Sequence, residues 1–147
     1  NPQTLKHPGT LKRTVFFTDS RAKKNVTVFD TTLRDGEQTP GISFTLEEKL
    51  GIAEQLSDIG VHAIEAGFPA SSDAERDIVK AIKGLDLSAQ VCGLARSLRA
   101  DVDACIDCDV DMVHVFIPTS DVQREYTIKK TREQVLETTG ERSEERR

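Results

Sequence analysis

The chain contains 147 residues, of which 37% are hydrophobic and 31% are charged, and its formal net charge is −5 at pH 7. This size and composition are typical of one globular domain. No basic patch interleaved with aromatic residues indicates nucleic-acid binding. No run approaches the ~18 apolar residues of a membrane span, and no charged-then-apolar leader indicates secretion. We therefore predict a cytoplasmic protein without nucleic-acid or membrane partners.

The two ends of the chain differ in composition from the rest. Residues 1 to 24 carry six lysines and arginines against a single acid, Asp19, which predicts a loosely ordered basic arm over residues 1–25. Residues 139–147 are almost wholly polar, and we predict a disordered tail there. Because the chain begins at Asn1 and stops in this polar run, we interpret it as a fragment or the product of a broken reading frame.

Residues 26–138 begin with a strand, a loop and a helix. A β-branched and aromatic strand is predicted over Val26–Phe29, followed by a polar loop from Asp30 to Gly41. The first helix begins at the capping box Thr45-Leu46-Glu47-Glu48 and ends at Gly60. Its predicted buried stripe, at helical spacing, is Leu46, Leu50, Ala53, Leu56 and Ile59.

The same alternation then repeats. A strand over Val61–Ala66 precedes a helix that begins at a second capping box, Ser72-Asp73-Ala74-Glu75, and breaks near Gly84. A strand over Ala89–Leu94 precedes the third helix. The residues predicted to be buried on these two helices are Ile78, Val79, Ile82 and Leu85, then Leu98, Val102 and Ile106.

The fourth unit completes the pattern. The strand Met112–Ile117 is nearly continuously apolar, as expected where both faces of a sheet are covered. Thr131-Arg132-Glu133-Gln134 caps a last helix that we expect to end near Thr138. Four successive β-α units with short connections predict a parallel sheet with right-handed crossovers. Flavodoxin-like sheets and (β/α)8 barrels, which take roughly 250 residues, both begin this way, so the pattern leaves both folds open.

Three cysteines, Cys92, Cys105 and Cys108, form no paired framework of the kind that small secreted domains use. Cys105 and Cys108 have CxxC spacing, but a second pair is missing and the segment reads as a helix end entering a strand. We therefore predict reduced thiols rather than a zinc or redox site.

Polar residues that follow the strands are the candidates for chemistry, because both folds bind ligands at the carboxyl ends of their strands. A carboxylate beside an arginine there is either a surface ion pair worth about 0–1 kcal/mol or an oxygen ligand for Mg²⁺, Mn²⁺ or Zn²⁺ next to a cation that stabilises an oxyanion. Chemistry alone leaves both open. The candidates are Asp30, Arg34, Asp35, Glu37, Gln38, Glu65, Arg96, His114, Thr119 and Ser120.

The string around Arg34 distinguishes these alternatives. Leu33-Arg34-Asp35-Gly36-x-Gln38, followed by ten residues and then Lys49, resembles the signature of the α-isopropylmalate and homocitrate synthase family at every fixed position. The resemblance covers about Val26 to Glu137. Further similar segments are Asp30–Thr32, Thr39–Gly41, Ile64–Pro69, Cys92–Arg96 and Val113–Ser120.

The resemblance implies that the chain is the amino-terminal part, about four βα units, of a TIM barrel with parallel strands. It implies an acyltransferase that condenses acetyl-CoA with a 2-oxo acid in a Claisen reaction and then hydrolyses the thioester. A divalent metal (Mg²⁺, Mn²⁺ or Zn²⁺), held in part by Asp35, would polarise the ketone. Arg34 would be the catalytic residue that stabilises the oxygen gaining negative charge, because its planar fork suits that role better than lysine.

The resemblance also implies substrate contacts from Gln38, Arg96, His114 and Thr119. We expect His114 to line the oxo-acid pocket rather than to be a satisfied core residue. Burying Glu65 without a partner would be costly, so we predict a contact with Arg34 or Arg96. Arg96 then either binds the substrate carboxylate or pairs with Glu65.

The chain departs from the family in one respect that bears on activity. The family completes its metal site with a His-x-His pair on a later strand, and the histidines here are His7, His62 and His114. We therefore expect these 147 residues to be inactive alone, and the resemblance implies a homodimeric full-length parent.

Two short segments bear on the oxo acid. Gly67-Phe68-Pro69 resembles 2-isopropylmalate synthases, which use 2-oxoisovalerate in leucine biosynthesis. Cys108-Asp109-Val110-Asp111 resembles citramalate synthases, which use pyruvate in isoleucine biosynthesis. We favour the first function, with the second as the alternative and an inactive half-barrel or binding remnant as the third possibility.

Overall fold

The computed structural model describes residues 26–144, so the predicted basic arm and the last three residues lie outside the described residues. The regular elements are β1 (Phe29–Asp30), α1 (Leu46–Asp58), β2 (Ala63–Gly67), α2 (Asp73–Lys83), β3 (Gln90–Arg96), α3 (Arg99–Ile106), β4 (Met112–Phe116), α4 (Asp121–Gln123) and α5 (Arg132–Glu144). A 3₁₀ turn at Gly36–Gln38 and a π-helical turn at Arg124–Ile128 were not predicted. No helix in residues 26–144 is long and apolar enough to cross a membrane.

The four strands form one parallel sheet in the order β1-β2-β3-β4. Each strand pairs with its neighbour in sequence, and a helix connects each pair. A flavodoxin-like sheet has the order 2-1-3-4-5, whereas consecutive strands of a barrel lie side by side. The strand order therefore excludes the flavodoxin-like alternative and confirms the predicted α/β fold with parallel strands.

Side chains from non-adjacent strands meet on one face of the sheet. Glu65 on β2 lies 2.7 Å from the Nδ1 atom of His114 on β4, and the Phe29 ring on β1 lies 5.8 Å from the His114 ring. In a flat sheet, strands two positions apart are separated by roughly 10 Å. The sheet is therefore curved, and we call the inner side, which carries these three residues, the concave face.

Helices α1, α2 and α3 cover the opposite face. The buried core there includes Ala53 of α1, Val79 and Ile82 of α2, and Val102 of α3. The predicted stripe of α2 is confirmed, and α2 ends at Gly84 as expected. These contacts bury the convex side and leave the concave face for polar side chains.

The predicted buried stripes of α1 and α3 were wrong at their ends. On α1, Leu46 and Ile59 are 46% and 77% exposed, because they lie at the two ends of the helix. On α3, Leu98 and Ile106 are exposed, while Asp101 is buried. Asp101 turns inwards because it is bound to Arg96 at the end of β3.

The capping boxes formed to different extents. At α1, Thr45 and Glu48 bind each other's backbone N–H, which confirms the prediction. At α2, Ser72 accepts from the N–H of Glu75, but the carboxylate of Glu75 accepts from the N–H of Phe68 instead of completing the box.

Helix α5 is longer than its predicted extent. Thr131 and Gln134 form a reciprocal cap at its start. The helix then continues to Glu144, past the predicted end at Thr138 and into the segment for which we predicted a disordered tail. Strong helix formers among these polar residues, such as Glu141, favour this extension.

Strand β4 is the outer strand of the described sheet. Its five residues are half-buried or exposed, and Phe116 is 39% exposed. The expectation that both of its faces are covered was therefore wrong for the residues that the structure describes.

The three cysteines agree with the prediction of reduced thiols. Cys92, Cys105 and Cys108 are buried and form no disulfide. Burial raises the pKa of the Cys108 thiol, which keeps it protonated at neutral pH.

Candidate functional site

The loop after β1 is folded by its own backbone. The carbonyl of Thr31 accepts hydrogen bonds from the N–H groups of Arg34 and Asp35 at 3.2 and 2.7 Å. The Asp30 carboxylate accepts from the N–H of Thr32. Leu33 is fully buried in the core. The apolar residue thus anchors the loop at the carboxyl end of β1, where the Arg34 side chain is 17% exposed and that of Asp35 is 64% exposed.

Arg34 lies between two carboxylates. Its Nη1 atom is 2.8 Å from Asp35 Oδ1, and its Nη2 and Nε atoms are 2.7 and 2.8 Å from Glu65 Oε2. These contacts use three of the five guanidinium hydrogens. One hydrogen on each Nη atom remains, so Arg34 can still donate to an oxygen placed beside Asp35.

Glu65 connects Arg34 with β4. Its side chain is fully buried, and its second oxygen, Oε1, lies 2.7 Å from His114 Nδ1. A carboxylate oxygen only accepts, so Nδ1 carries the hydrogen and Nε2 of His114 is left for another partner. The predicted contact of Glu65 with Arg34 is present, and the buried charge is satisfied on both oxygens. The three side chains form one hydrogen-bonded unit, which we call the Arg34 cluster together with Asp35.

A register shift in β2 places Glu65 and Gly67 on opposite faces of the sheet. The pairing of β2 with β3 shifts between Glu65 and Gly67. Glu65 therefore faces the concave side, while a side chain at Gly67 would run into Glu75 and Val79 of α2. In a regular strand, residues two apart face the same way, so the shift is what allows this arrangement.

Arg96 has a different partner from the one expected. Its Nε and Nη2 atoms bind the two oxygens of Asp101 at 2.7 and 3.0 Å, and its guanidinium lies over the Phe68 ring at 5.5 Å from the centroid. The alternative in which Arg96 pairs with Glu65 is therefore wrong. Asp101 and Phe68 hold Arg96 at the rim of the site, with its side chain 52% exposed.

Gln38 and Thr119 are exposed, and neither is hydrogen bonded to the Arg34 cluster in the described part of the chain. Gln38 lies in the 3₁₀ turn after β1. Thr119 lines a separate groove beyond β4, of about 390 Å³, together with Asp121 and Arg132. The structure thus brings Arg34, Asp35, Glu65 and His114 together and leaves these two predicted contacts outside that unit.

Lys49 is a residue to which the sequence reasoning assigned no role beyond its place in the signature. Its side chain is only 2% exposed, and its ammonium lies 2.6 Å from Glu37 and 3.8 Å from Glu75. Burial alone would raise the pKa of Glu37, but the hydrogen bond from Lys49 and the N–H of Phe44 outweigh it and lower that pKa. A signal was available, since Lys49 is one helical turn before the buried Ala53.

The described residues fit one part of a metal site. Asp35 is 64% exposed and offers a carboxylate oxygen, which is the kind of ligand that Mg²⁺ and Mn²⁺ prefer. In residues 26–144, no group of three His, Cys, Asp or Glu side chains could hold a metal ion. Asp35 is thus a single exposed carboxylate that could supply one side-chain oxygen to a metal ion.

A scan against protein families matches residues 25–144 to the HMGL-like family. The chain belongs to this family. The match spans every element of the described structure, so the resemblance inferred from the Arg34 string is confirmed.

Several curated HMGL-like proteins are similar to the chain. It is 57% identical over 129 residues to a probable 2-isopropylmalate synthase of Methanosarcina mazei, covering 87% of the chain and 25% of that protein. Over 112 residues, or 76% of the chain, it is 56% identical to a homocitrate synthase of Methanopyrus kandleri and 53% identical to a putative (R)-citramalate synthase of Methanothermobacter thermautotrophicus, covering 28% and 23% of those proteins. The chain spans about a quarter of the length of these relatives.

Among solved structures, an HMG-CoA lyase from Bacillus subtilis has a similar fold. The TM-score is 0.65 at 23% identity, and the match covers 82% of this chain and 42% of the lyase chain. At this identity, the likeness concerns the fold alone. The matched region is less than half of the lyase chain.

Proposed function

We propose that this HMGL-like chain is the amino-terminal half of the catalytic barrel of an acyltransferase that condenses acetyl-CoA with a 2-oxo acid. The observation that carries the proposal is the Arg34 cluster, in which Arg34, Asp35 and His114 are held around the buried Glu65. Family membership and the names of the similar proteins support the same reaction class.

In this proposal, Arg34 stabilises negative charge in the transition state. Glu65 holds the Nε and Nη2 atoms of Arg34, which leaves one hydrogen on each Nη atom for an oxygen beside Asp35. Donors fixed in this way stabilise a developing oxyanion without having to reorganise during the reaction. A divalent metal bound in part by Asp35 would polarise the ketone of the oxo acid.

His114 and Arg96 are proposed to bind the oxo acid, with Gln38 and Thr119 as further contacts. Glu65 accepts from Nδ1 of His114, which leaves Nε2 to bind a polar group, and the His114 side chain is 42% exposed. Arg96 is held in place by Asp101, and its remaining N–H groups suit a carboxylate.

We propose 2-oxoisovalerate as the oxo acid, which makes the full-length parent a 2-isopropylmalate synthase of leucine biosynthesis. The Gly67-Phe68-Pro69 segment and the 57% identity to the Methanosarcina protein support this choice. Pyruvate, used by citramalate synthases, is the second candidate because the Cys108-Asp109-Val110-Asp111 segment resembles those enzymes, and the identity to the Methanothermobacter protein is 53%. The proposal includes a homodimeric parent in the cytoplasm, as the family resemblance implies.

A chimeric enzyme tests the function. The matching quarter of the Methanosarcina mazei protein is replaced by this chain, and release of free CoA from acetyl-CoA is measured with Mg²⁺ or Mn²⁺ and each oxo acid. We expect CoA release that requires 2-oxoisovalerate and is weaker with pyruvate. Arg34→Lys should lower kcat by roughly 10²–10³-fold, the usual effect of losing one oxyanion donor.

The matched control is Arg99→Lys, because Arg99 is 74% exposed and lies on α3, in ion-pair contact with Asp103. This variant should keep full activity. The proposal is overturned if the chimera has the melting temperature of the parent yet releases no CoA with any oxo acid. Full activity in Arg34→Lys would equally remove Arg34 from the mechanism. A chimera that melts like the parent but releases no CoA would favour the third possibility, a half-barrel that catalyses nothing.

A further inference from the structure

A buried lysine lies behind the Arg34 cluster and contacts two different βα units. The ammonium of Lys49, on α1, is 2.6 Å from Glu37 in the loop after β1 and 3.8 Å from Glu75 on α2. Lys49 is 2% exposed, whereas the two carboxylates are about a fifth exposed. We call these three residues the Lys49 bridge.

Each carboxylate of the bridge also holds a backbone group. Glu37 Oε1 accepts from the N–H of Phe44 at 3.1 Å, at the end of the loop after β1. Glu75 Oε1 accepts from the N–H of Phe68 at 3.2 Å, in the loop after β2. The ammonium of Lys49 therefore contacts both carboxylates, and each carboxylate accepts a backbone hydrogen bond from a different loop.

Those two loops carry different parts of the proposed site. The first loop carries Arg34 and Asp35, and it ends where Glu37 binds Phe44. The second carries Phe68, whose ring supports the guanidinium of Arg96. The Lys49 bridge therefore sets the spacing between the group that stabilises charge and the group proposed to bind the oxo acid.

Gly67 makes the position of Glu75 specific. A side chain at Gly67 would occupy the space of Glu75 Oε1 and would also press on Val79. Glu75 can reach both Lys49 and the N–H of Phe68 only because this position has no Cβ. The capping box at α2 is incomplete because the Glu75 carboxylate binds the N–H of Phe68 instead of the N–H of Ser72.

We infer that Lys49 is a positioning residue, which fixes the loops after β1 and β2 relative to each other without touching the substrate. Without its charge, the carboxylates of Glu37 and Glu75 face each other with no cation between them and repel. Both loops then shift, and the Arg34 cluster moves relative to Arg96. The catalytic part of this inference rests on the proposed function, whereas the coupling of the loops does not.

The coupling is tested by amide hydrogen exchange on the 147-residue chain itself. In Lys49→Met, which keeps the length of the side chain and removes the charge, we expect exchange at both Phe44 and Phe68 to speed up by roughly tenfold or more. The matched control is Lys83→Met, since Lys83 is paired with Asp111 at 2.6 Å at the other end of α2. That variant should leave both amides unchanged.

A milder variant covers the case in which Lys49→Met does not fold. Glu75→Gln keeps an oxygen for the N–H of Phe68 but removes the charge that faces Lys49. Faster exchange at Phe68 in this variant supports the bridge. Unchanged exchange at Phe44 and Phe68 in folded Lys49→Met, or at Phe68 in Glu75→Gln, overturns it.

The positioning role is tested in the chimeric enzyme. Lys49→Met should lower kcat by roughly 10–100-fold, the effect expected of a misplacement of about 1 Å, with a smaller change in KM for the oxo acid. The double variant Glu37→Gln/Lys49→Met removes both charges of the closer pair, so it should recover the melting temperature but not kcat. Recovery of kcat together with stability would show a merely structural lysine. If the unmodified chimera is inactive, the proposed function fails, and the exchange experiment still decides the coupling.

Discussion

Glu65 takes its partners from two separate parts of the sheet, the loop after β1 and strand β4. Its side chain is fully buried, so water cannot replace a lost partner. Arg34 and His114 in turn lose their common acceptor when Glu65 is removed, although their side chains are 17% and 42% exposed.

We expect Glu65→Ala to lower the free energy of unfolding by about 1–3 kcal/mol, the usual cost of leaving hydrogen-bond donors without their acceptor, since Arg34 keeps Asp35 as a second partner. Urea unfolding of the chain measures this loss. Glu54→Ala is the control, because Glu54 is exposed on the middle of α1 and should cost little. A loss below about 1 kcal/mol for Glu65→Ala would contradict the central place of this residue.

At the scale of single residues, the sequence predicted the part of the site that lies within the short string around Arg34. The signature string placed Arg34 and Asp35 together after the first strand, and the structure shows them in contact with each other there. The partners of Arg96 and Lys49 could not be predicted in the same way. Each depends on how a helix is rotated against the sheet, since Asp101 and Glu75 turn inwards from α3 and α2.

At the scale of elements, the capping box of α1 is formed at both of its hydrogen bonds. Thr45→Ala removes the acceptor for the N–H of Glu48 and should destabilise the chain by about 1 kcal/mol. Ser43→Ala, two residues earlier in the exposed loop, should change little. Urea midpoints of the two variants test this, and equal midpoints would argue against the cap.

The contact between α4 and α5 should depend on pH. The hydrogen bond from Arg132, and also that from Arg124, lowers the pKa of Asp121 below its usual value of 3.8. A carboxyl with a lowered folded-state pKa contributes stability that is fully present above its unfolded pKa and is lost as the pH falls through the folded value.

We therefore expect Asp121→Asn to melt at a lower temperature than the unchanged chain above pH 3.8, with the difference closing below that pH. Melting curves between pH 7 and about 3 measure this. Arg132→Gln removes the first hydrogen-bond partner of Asp121, and its melting temperature should likewise approach that of the unchanged chain below pH 3.8. A difference that stays constant with pH would mean that Asp121 acts through something other than its charge.

Element types were predictable because their signals are local. Caps, apolar spacing and glycines placed all four strands and the helices α1, α2, α3 and α5 in order. The short α4 and the π-helical turn have no such signal. Helix α5 exceeded its expected length because its end is marked only by polar residues that favour helix.

At the scale of the whole molecule, the alternation of elements predicted a parallel sheet but not its closure. The choice between flavodoxin-like and barrel folds depends on strand order, which the apolar pattern does not encode. The apolar composition of β4 predicted that both of its faces are covered, whereas its residues are half-buried or exposed in the described sheet.

Metal affinity should be low in the chain alone. Because no group of three His, Cys, Asp or Glu side chains in residues 26–144 could hold a metal ion, we expect Mn²⁺ to bind with a dissociation constant above about 1 mM. The chimeric enzyme should bind it more tightly, and Asp35→Asn in the chimera should weaken binding by at least roughly tenfold. Electron paramagnetic resonance of free Mn²⁺ measures both. Micromolar binding by the chain alone would contradict a shared metal site.

The rings of Phe29 and His114 meet across the full width of the described sheet, from β1 to β4. Their centroids are 5.8 Å apart, and their planes are nearly perpendicular, at 88°. Because the circulating electrons of an aromatic ring shift the resonance of nearby protons, the imidazole protons of His114 respond to the distance between the two outer strands. A proton magnetic resonance spectrum, with Phe29→Leu as its reference, therefore distinguishes a curved sheet from a flat one without any substrate, metal or second half of the barrel.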